Sequence, residues 1–260
     1  MASSTGCKAW TREKTDQDNS LHLPEFQATQ LQATRNNYSY PAMALTGTIS
    51  DLVQQEFDST SKMDLHLKEL LHSNDDSKTA LGYASVLFWG HVSGKDKRLR
   101  MARALGKVSL ALNGRDRVVK GQPQRMRGVQ DMGLNTVAGH IRQAMHSIQA
   151  DDYASALNTL NRLPQLQIAF SSKICAFLAP EKCGVIDSVI AEKFPHFGFE
   201  VAKGFVKSNS ANLSRYKDYC LFLQNTAQAL NATQEHSKWK DRDGTEHAWR
   251  AVDVERAMYG

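Results

Sequence analysis

LPQLQIAFSSKICAFLAPEKCGVIDSVIA, Leu163 to Ala191, is the stretch from which the rest of the chain is read. Pro164 sets a turn, and an apolar run follows from Ile168 to Leu178. At about 100° per residue, Phe170, Ile174, Phe177 and Leu178 share one helical face, while Ala169, Cys175 and Ala176 cover much of the remainder. A helix apolar on most sides is a buried one. Lys173 lies at the edge of the most apolar face, so its amine either reaches back to solvent or enters a cleft. An amine partly withdrawn from water gives up its proton more readily, and the neutral form attacks electrophilic carbon. A surface lysine is the competing reading.

Asp187 follows Lys173 by 14 residues, enough for one helix, a turn and a return to the same end. It opens DSVIAEKF after Gly184, the pattern of a helix N-cap whose carboxylate accepts first-turn amides. Capping alone would account for it. A helix N-terminus also favours negative charge there, and a fixed negative charge stabilises a developing oxocarbenium sugar or handles a proton. The turn LPQLQ offers amides at a helix start, where a phosphate is readily held.

Outward from this stretch, helical spacing dominates. An amphipathic helix is predicted over Ile49 to Leu71 with a break near Asp58 to Ser61, and an apolar helix over YASVLFWG that stops at Gly90 to Gly94. KDKRLRMARALGKVSLALNG reads as another helix, and further helices are predicted over Leu134 to Ile148, Asp152 to Leu160, Ala211 to Leu230 and the closing TEHAWRAVDVERAMYG. Between Lys107 and Met132, Arg115, Arg117, Lys120, Arg125 and Arg127 alternate with Gly114, Gly121, Pro123 and Gly128, which reads as a flexible basic loop. RVVKG, Arg117 to Gly121, is the strongest strand candidate, but no segment alternates for long. The fold class expected is mainly α.

The 260 residues are 41% apolar, enough for a real core, and the net charge of +5 favours a polyanionic partner. Residues 1–30 are polar and aperiodic and read as an arm, leaving 31–260 as a single body with its hairpin near 160–178. Cys7, Cys175, Cys183 and Cys220 form neither a disulfide framework nor a Cys-x-x-Cys chelate, so reduced buried thiols, no metal and no cofactor are expected. No run approaches the ~20 apolar residues of a membrane span, so a soluble, cytoplasmic monomer is expected.

The order of hairpin, lysine helix and aspartate resembles the helix-hairpin-helix DNA glycosylase superfamily, and within it the bacterial proteins similar to 8-oxoguanine DNA glycosylase. The resemblance rests on LPQLQIAFSSKICAFLAPEKCGVID, on YASVLFWG (Tyr83 to Gly90), on SRYKDYCLFLQNTAQALN and on WRAVDVERAMY (Trp249 to Tyr259). It implies two helical lobes with a cleft, a hairpin gripping DNA, a base flipped into the cleft and cleavage of its N-glycosidic bond. Lys173 and Asp187 would then be catalytic. Gln165, Gln167 and the basic residues Arg115, Arg117, Lys120, Arg125 and Arg127 would contact DNA carrying a modified base. Gln165 and Gln167 stand where the family hairpin usually has glycine, and Lys173 lies about one turn deeper in its helix than the family's lysine often does.

The resemblance suggests an oxidised purine as substrate, and a hypermodified cytosine of phage DNA, removed in antiviral defence, competes with it. Associated strand nicking follows if the lysine attacks. Trp89, His91, His140, His196, Phe197, Phe199, Trp239, His247 and Trp249 are candidates for the pocket wall. A non-catalytic DNA-binding module of the same architecture, or an all-α interaction domain using its basic loop on an acidic partner, are the alternatives.

Overall fold

A computed structural model describes residues 27–92 and 97–260. Cys7 and the expected arm, as far as residue 26, lie outside the described residues. The first helix, α1 (Ala28–Asn36), is followed by a hairpin, β1 (Met43–Thr48) and β2 (Asp51–Glu56), then α2 (Thr60–Leu71) and α3 (Asp76–His91). Asp75 caps α3 by accepting from the amides of Ser77 at 2.7 Å and Lys78 at 3.2 Å. Every residue from Thr79 to Trp89 is buried, so α3 is the central helix; it packs against α2, β1 and three later helices.

Next come α4 (Lys97–Asn113), the hairpin β3 (Arg115–Val119) and β4 (Gln122–Met126), the short α5 (Val129–Met132), α6 (Leu134–Gln149) and α7 (Tyr153–Leu160). The lysine helix is α8 (Ile168–Leu178), and Asp187 caps α9 (Ser188–Lys193). A small hairpin, β5 (Val201–Ala202) with β6 (Phe205–Val206), leads to the long α10 (Ser210–Ala232). A last hairpin, β7 (Lys238–Lys240) with β8 (Glu246–Ala248), leads to α11 (Ala251–Tyr259). α3 meets α4, α6 and α8, whereas α11 gathers α1, α9 and α10.

The mainly α expectation holds, with three corrections, the first being that the closing TEHAWRAVDVERAMYG is helical only from Ala251, since Glu246–Ala248 pairs with β7. The stretch Ile49 to Leu71 is helical only from Thr60: Asp51–Glu56 pairs with β1 in register, Met43 opposite Glu56 and Thr48 opposite Asp51. The expected flexible basic loop is an ordered hairpin with Arg115 opposite Met126 and Val119 opposite Gln122, closed by Lys120 and Gly121 at φ +52° and +78°. Two consecutive positive φ angles are those of a tight hairpin turn, with glycine in the second place. All residues of β3 are exposed, so neither face of the strand carries an apolar stripe. Among the described residues, Cys175, Cys183 and Cys220 are buried and unpaired, and no helix is long and apolar enough to cross a membrane.

Candidate active site

The hairpin between α7 and α8 turns on Leu163 to Leu166. The Leu166 amide donates to the Leu163 carbonyl at 3.2 Å, with Pro164 second and Gln165 third at φ +60°. That is a type II turn, whose third position favours glycine. Gln165 takes the glycine-like conformation without being glycine, and the buried Tyr83 hydroxyl, donating to the Pro164 carbonyl, holds the turn in place. Gln167 precedes α8 and makes no side-chain cap.

Lys173 does not reach solvent. It is 7% exposed, and its Nζ lies 3.6 Å from Asp187 Oδ2. The pairing is built by the chain beside it: Ser172 Oγ accepts from the Ile186 amide at 3.1 Å, tying the residue before Asp187 to the residue before Lys173. Tyr216 and Tyr219 hydroxyls donate to the Gly184 and Val185 carbonyls at 2.8 and 3.0 Å, pinning the same loop from α10. Asp187 Oδ1 accepts the Val189 and Ile190 amides at 3.0 and 3.2 Å, so the expected N-cap is present and leaves Oδ2 to face the amine. Gly90 allows the approach from α3: a Cβ there would stand 2.5 Å from Phe170 Cε1 and 3.0 Å from Lys173 Cδ.

Both groups open on a cavity of about 190 Å³. Its walls are Tyr38 and Tyr40 from the segment after α1, Trp89 from α3, and Glu255 and Tyr259 from α11. The rings of Tyr40 and Trp89 are 5.0 Å apart and tilted, and Tyr259 stands edge-on to Tyr40 at 6.4 Å. Aromatic faces of this kind stack a planar ring. Burial raises the pKa of Tyr38, Tyr40 and Tyr259, so the phenols stay neutral. Beyond the three tyrosines a second hollow of about 330 Å³ reaches Asn37, Ser39 and Arg100. A larger cavity, about 820 Å³, lies elsewhere, between the β1–β2 turn, α4 and α5, and none of the residues lining it is ionisable.

On the other side of Phe170, a groove of about 500 Å³ runs past His91, Lys107, Met126, Gln165, Gln167 and Phe205. It joins the foot of the basic hairpin to the α7–α8 turn. Burial, with Lys107, Lys173 and Arg103 acting in the same direction, pushes His91 down to about 4, so it is a neutral ring, tilted against Phe170 at 4.5 Å. Arg115, Arg117, Lys120 and Arg127 are exposed. Arg125, exposed as well, is engaged: it bonds Asp131 at 3.1 Å and the Asn113 carbonyl at 2.6 Å, fastening the base of the hairpin.

Of the aromatic and histidine candidates, Trp89 lines the cavity and His91 the groove; the rest sit elsewhere. His140 bonds the Thr136 carbonyl on α6, His196, Phe197 and Phe199 cluster near Tyr219, Trp239 lies under Arg35 with its ring tilted against His247, and Trp249 bonds the His236 carbonyl. Sequence reasoning missed Tyr38, Tyr40, Glu255 and Tyr259.

The profile of the family described as "Putative 8-oxoguanine DNA glycosylase OGG-like protein" matches residues 51–259. No curated protein and no solved structure matches the chain. The matched region covers most of the chain, with the hairpin, Lys173, Asp187 and α11, and the chain therefore belongs to this family of 8-oxoguanine DNA glycosylase-like proteins.

Proposed function

We propose that the protein is a DNA glycosylase that draws a modified nucleotide into the aromatic cavity and cleaves its N-glycosidic bond. The observation that carries this reading is the Lys173–Asp187 pair, 3.6 Å apart at the wall of a cavity lined by tyrosine and tryptophan. Asp187 stabilises positive charge on the sugar as the base departs. Lys173 Nζ, or a water in its place, bonds to the anomeric carbon; the C1′–N electron pair leaves with the base. Attack by the amine, followed by loss of its proton and ring opening, yields an imine from which the strand is nicked by elimination. The exposed Arg115, Arg117, Lys120 and Arg127 and the turn residues Gln165 and Gln167 carry the phosphate backbone along the groove.

An oxidised purine is the leading substrate, since the cavity takes one planar ring system. A hypermodified cytosine would direct its substituent past Tyr40 into the adjoining hollow that Arg100 lines. Incubation with genomic DNA of several sources, cellular and viral, followed by mass spectrometry of free bases, identifies the substrate. Release of one modified base is expected. DNA binding with no base released from any source would instead select a non-catalytic module. With the substrate known, borohydride should trap a protein–DNA adduct that Lys173→Gln abolishes; an adduct that persists in the variant would remove the lysine from the mechanism.

A further inference from the structure

We propose that Glu255 is the acid of this pocket: it donates its proton to the departing base while Asp187 faces the sugar, a division of labour that rests on the glycosylase reading above. Glu255 projects from α11 into the same cavity as Lys173 and Asp187 and is 4% exposed. Arg256, its neighbour in sequence, gives both terminal nitrogens to Asp64 at 2.7 and 2.8 Å. Among the described residues Glu255 has no ion pair of its own, and a carboxyl so enclosed keeps its proton, because an isolated buried charge is costly. Burial pushes Glu255 up to about 8; the Asp187 charge acts in the same direction, against Arg256 and Lys173. The ionisable groups facing it are Lys173 on α8, Asp187 before α9, Tyr219 on α10, Tyr38 after α1, and Arg256 and Tyr259 on its own helix. At neutral pH the cavity thus presents two carboxyl groups in unlike settings: Asp187 held by two amides and an amine, Glu255 enclosed and neutral. Two carboxyls with divergent environments in one cleft are suited to opposite roles.

The step balances as follows. The C1′–N bond breaks and its electron pair goes to the base; the Glu255 O–H bond breaks, and the proton goes to an acceptor atom of that base. Glu255 is left as carboxylate and regains a proton from solvent after the base leaves. A neutral base is a far better leaving group than an anionic one, so proton donation lowers the barrier to bond cleavage.

The test compares wild type with Glu255→Gln, which keeps the shape and a hydrogen-bond donor but has no proton to give, in single turnover on a duplex carrying one 8-oxoguanine and on duplexes carrying the base identified by mass spectrometry. Base release should fall about 10²–10⁴-fold with DNA affinity unchanged, the loss should shrink on a base that leaves readily without protonation, and Glu255→Asp should recover part of the rate. The wild-type rate should decline above about pH 8, a limb missing from Glu255→Gln. A variant with the wild-type rate, or with the same alkaline limb, would overturn the proposal. Infrared spectra of the protein without DNA supply a second arm: a protonated-carboxyl band at neutral pH should vanish in Glu255→Gln, and if no band is lost the proposal fails whatever the activity. A protein that keeps the band yet releases no base from any DNA refutes the glycosylase reading, and the acid's role with it.

Discussion

At the residue scale, the decisive features are three ionisable groups with different surroundings in one cavity. Two of them were legible in sequence. Lys173 stood out as a charge at the edge of an apolar helical face, and Asp187 as an N-cap one helix and one turn later, because both signals are local in the chain. Glu255 was not legible: nothing short of the packing of α11 on the Gly184–Val185 loop shows that it lacks a guanidinium of its own. Its surroundings carry a consequence for stability. Burial raises Glu255 from its ordinary 4.5 to about 8, so the folded protein binds a proton that the unfolded chain has already released between those values. Its contribution is complete below about pH 4.5 and is lost as pH rises through about 8. Glu255→Gln should therefore flatten the decline in stability over that window, read as the denaturant midpoint against pH. A decline as steep in the variant as in wild type would mean that the carboxyl is ionised throughout.

At the scale of elements, the helices were predicted well and the hairpins poorly, for a physical reason. α3, α8 and α10 bury apolar faces, and burial writes a periodic pattern into sequence. β2 and β3 bury almost nothing, so the alternation that identifies a strand was never required of them. The apolar residues of β2 therefore fit the helical spacing that continues into α2, and the basic segment carries no sustained strand pattern. An ordered hairpin fixes the spacing of its cations, and its foot at Met126 lines the groove that reaches Gln165 and Gln167. Charge reversal at Arg115, Arg117, Lys120 and Arg127 should weaken DNA binding and reduce the slope of log affinity against log salt by about 0.9 for each phosphate contact removed. Arg125 is left out because its ion pair with Asp131 holds the hairpin itself. An unchanged slope would show that this element does not touch DNA.

At the scale of the whole molecule, the cavity joins the first and last elements of the described residues. Tyr38 and Tyr40 come from the first described turn and Glu255 and Tyr259 from the last helix, with Trp89, Lys173 and Asp187 between, which is why order along the chain could not assemble it. A buried ion network holds these elements together. Arg35 on α1 bonds Asp253 at 3.0 Å, Arg250 bonds Asp253 at 2.7 Å and Asp64 at 2.8 Å, and Arg256 clasps Asp64 with both nitrogens. Burial pushes Asp253 upward, but Arg250 and Arg35 overcome it and hold the carboxyl well below its ordinary range. Asp64→Ala removes the bidentate partner of Arg256 and one of the two partners of Arg250, and should cost roughly 3–5 kcal/mol in denaturant unfolding; a loss near zero would mean that solvent takes the place of the carboxylate. All these devices converge on one pair of groups, so the most direct measurement is single-turnover base release by Asp187→Asn on the identified substrate, beside its DNA affinity. Release should fall by at least about 10²-fold with affinity retained. Release at the wild-type rate would contradict the assignment of this cavity as the place where the glycosidic bond is broken.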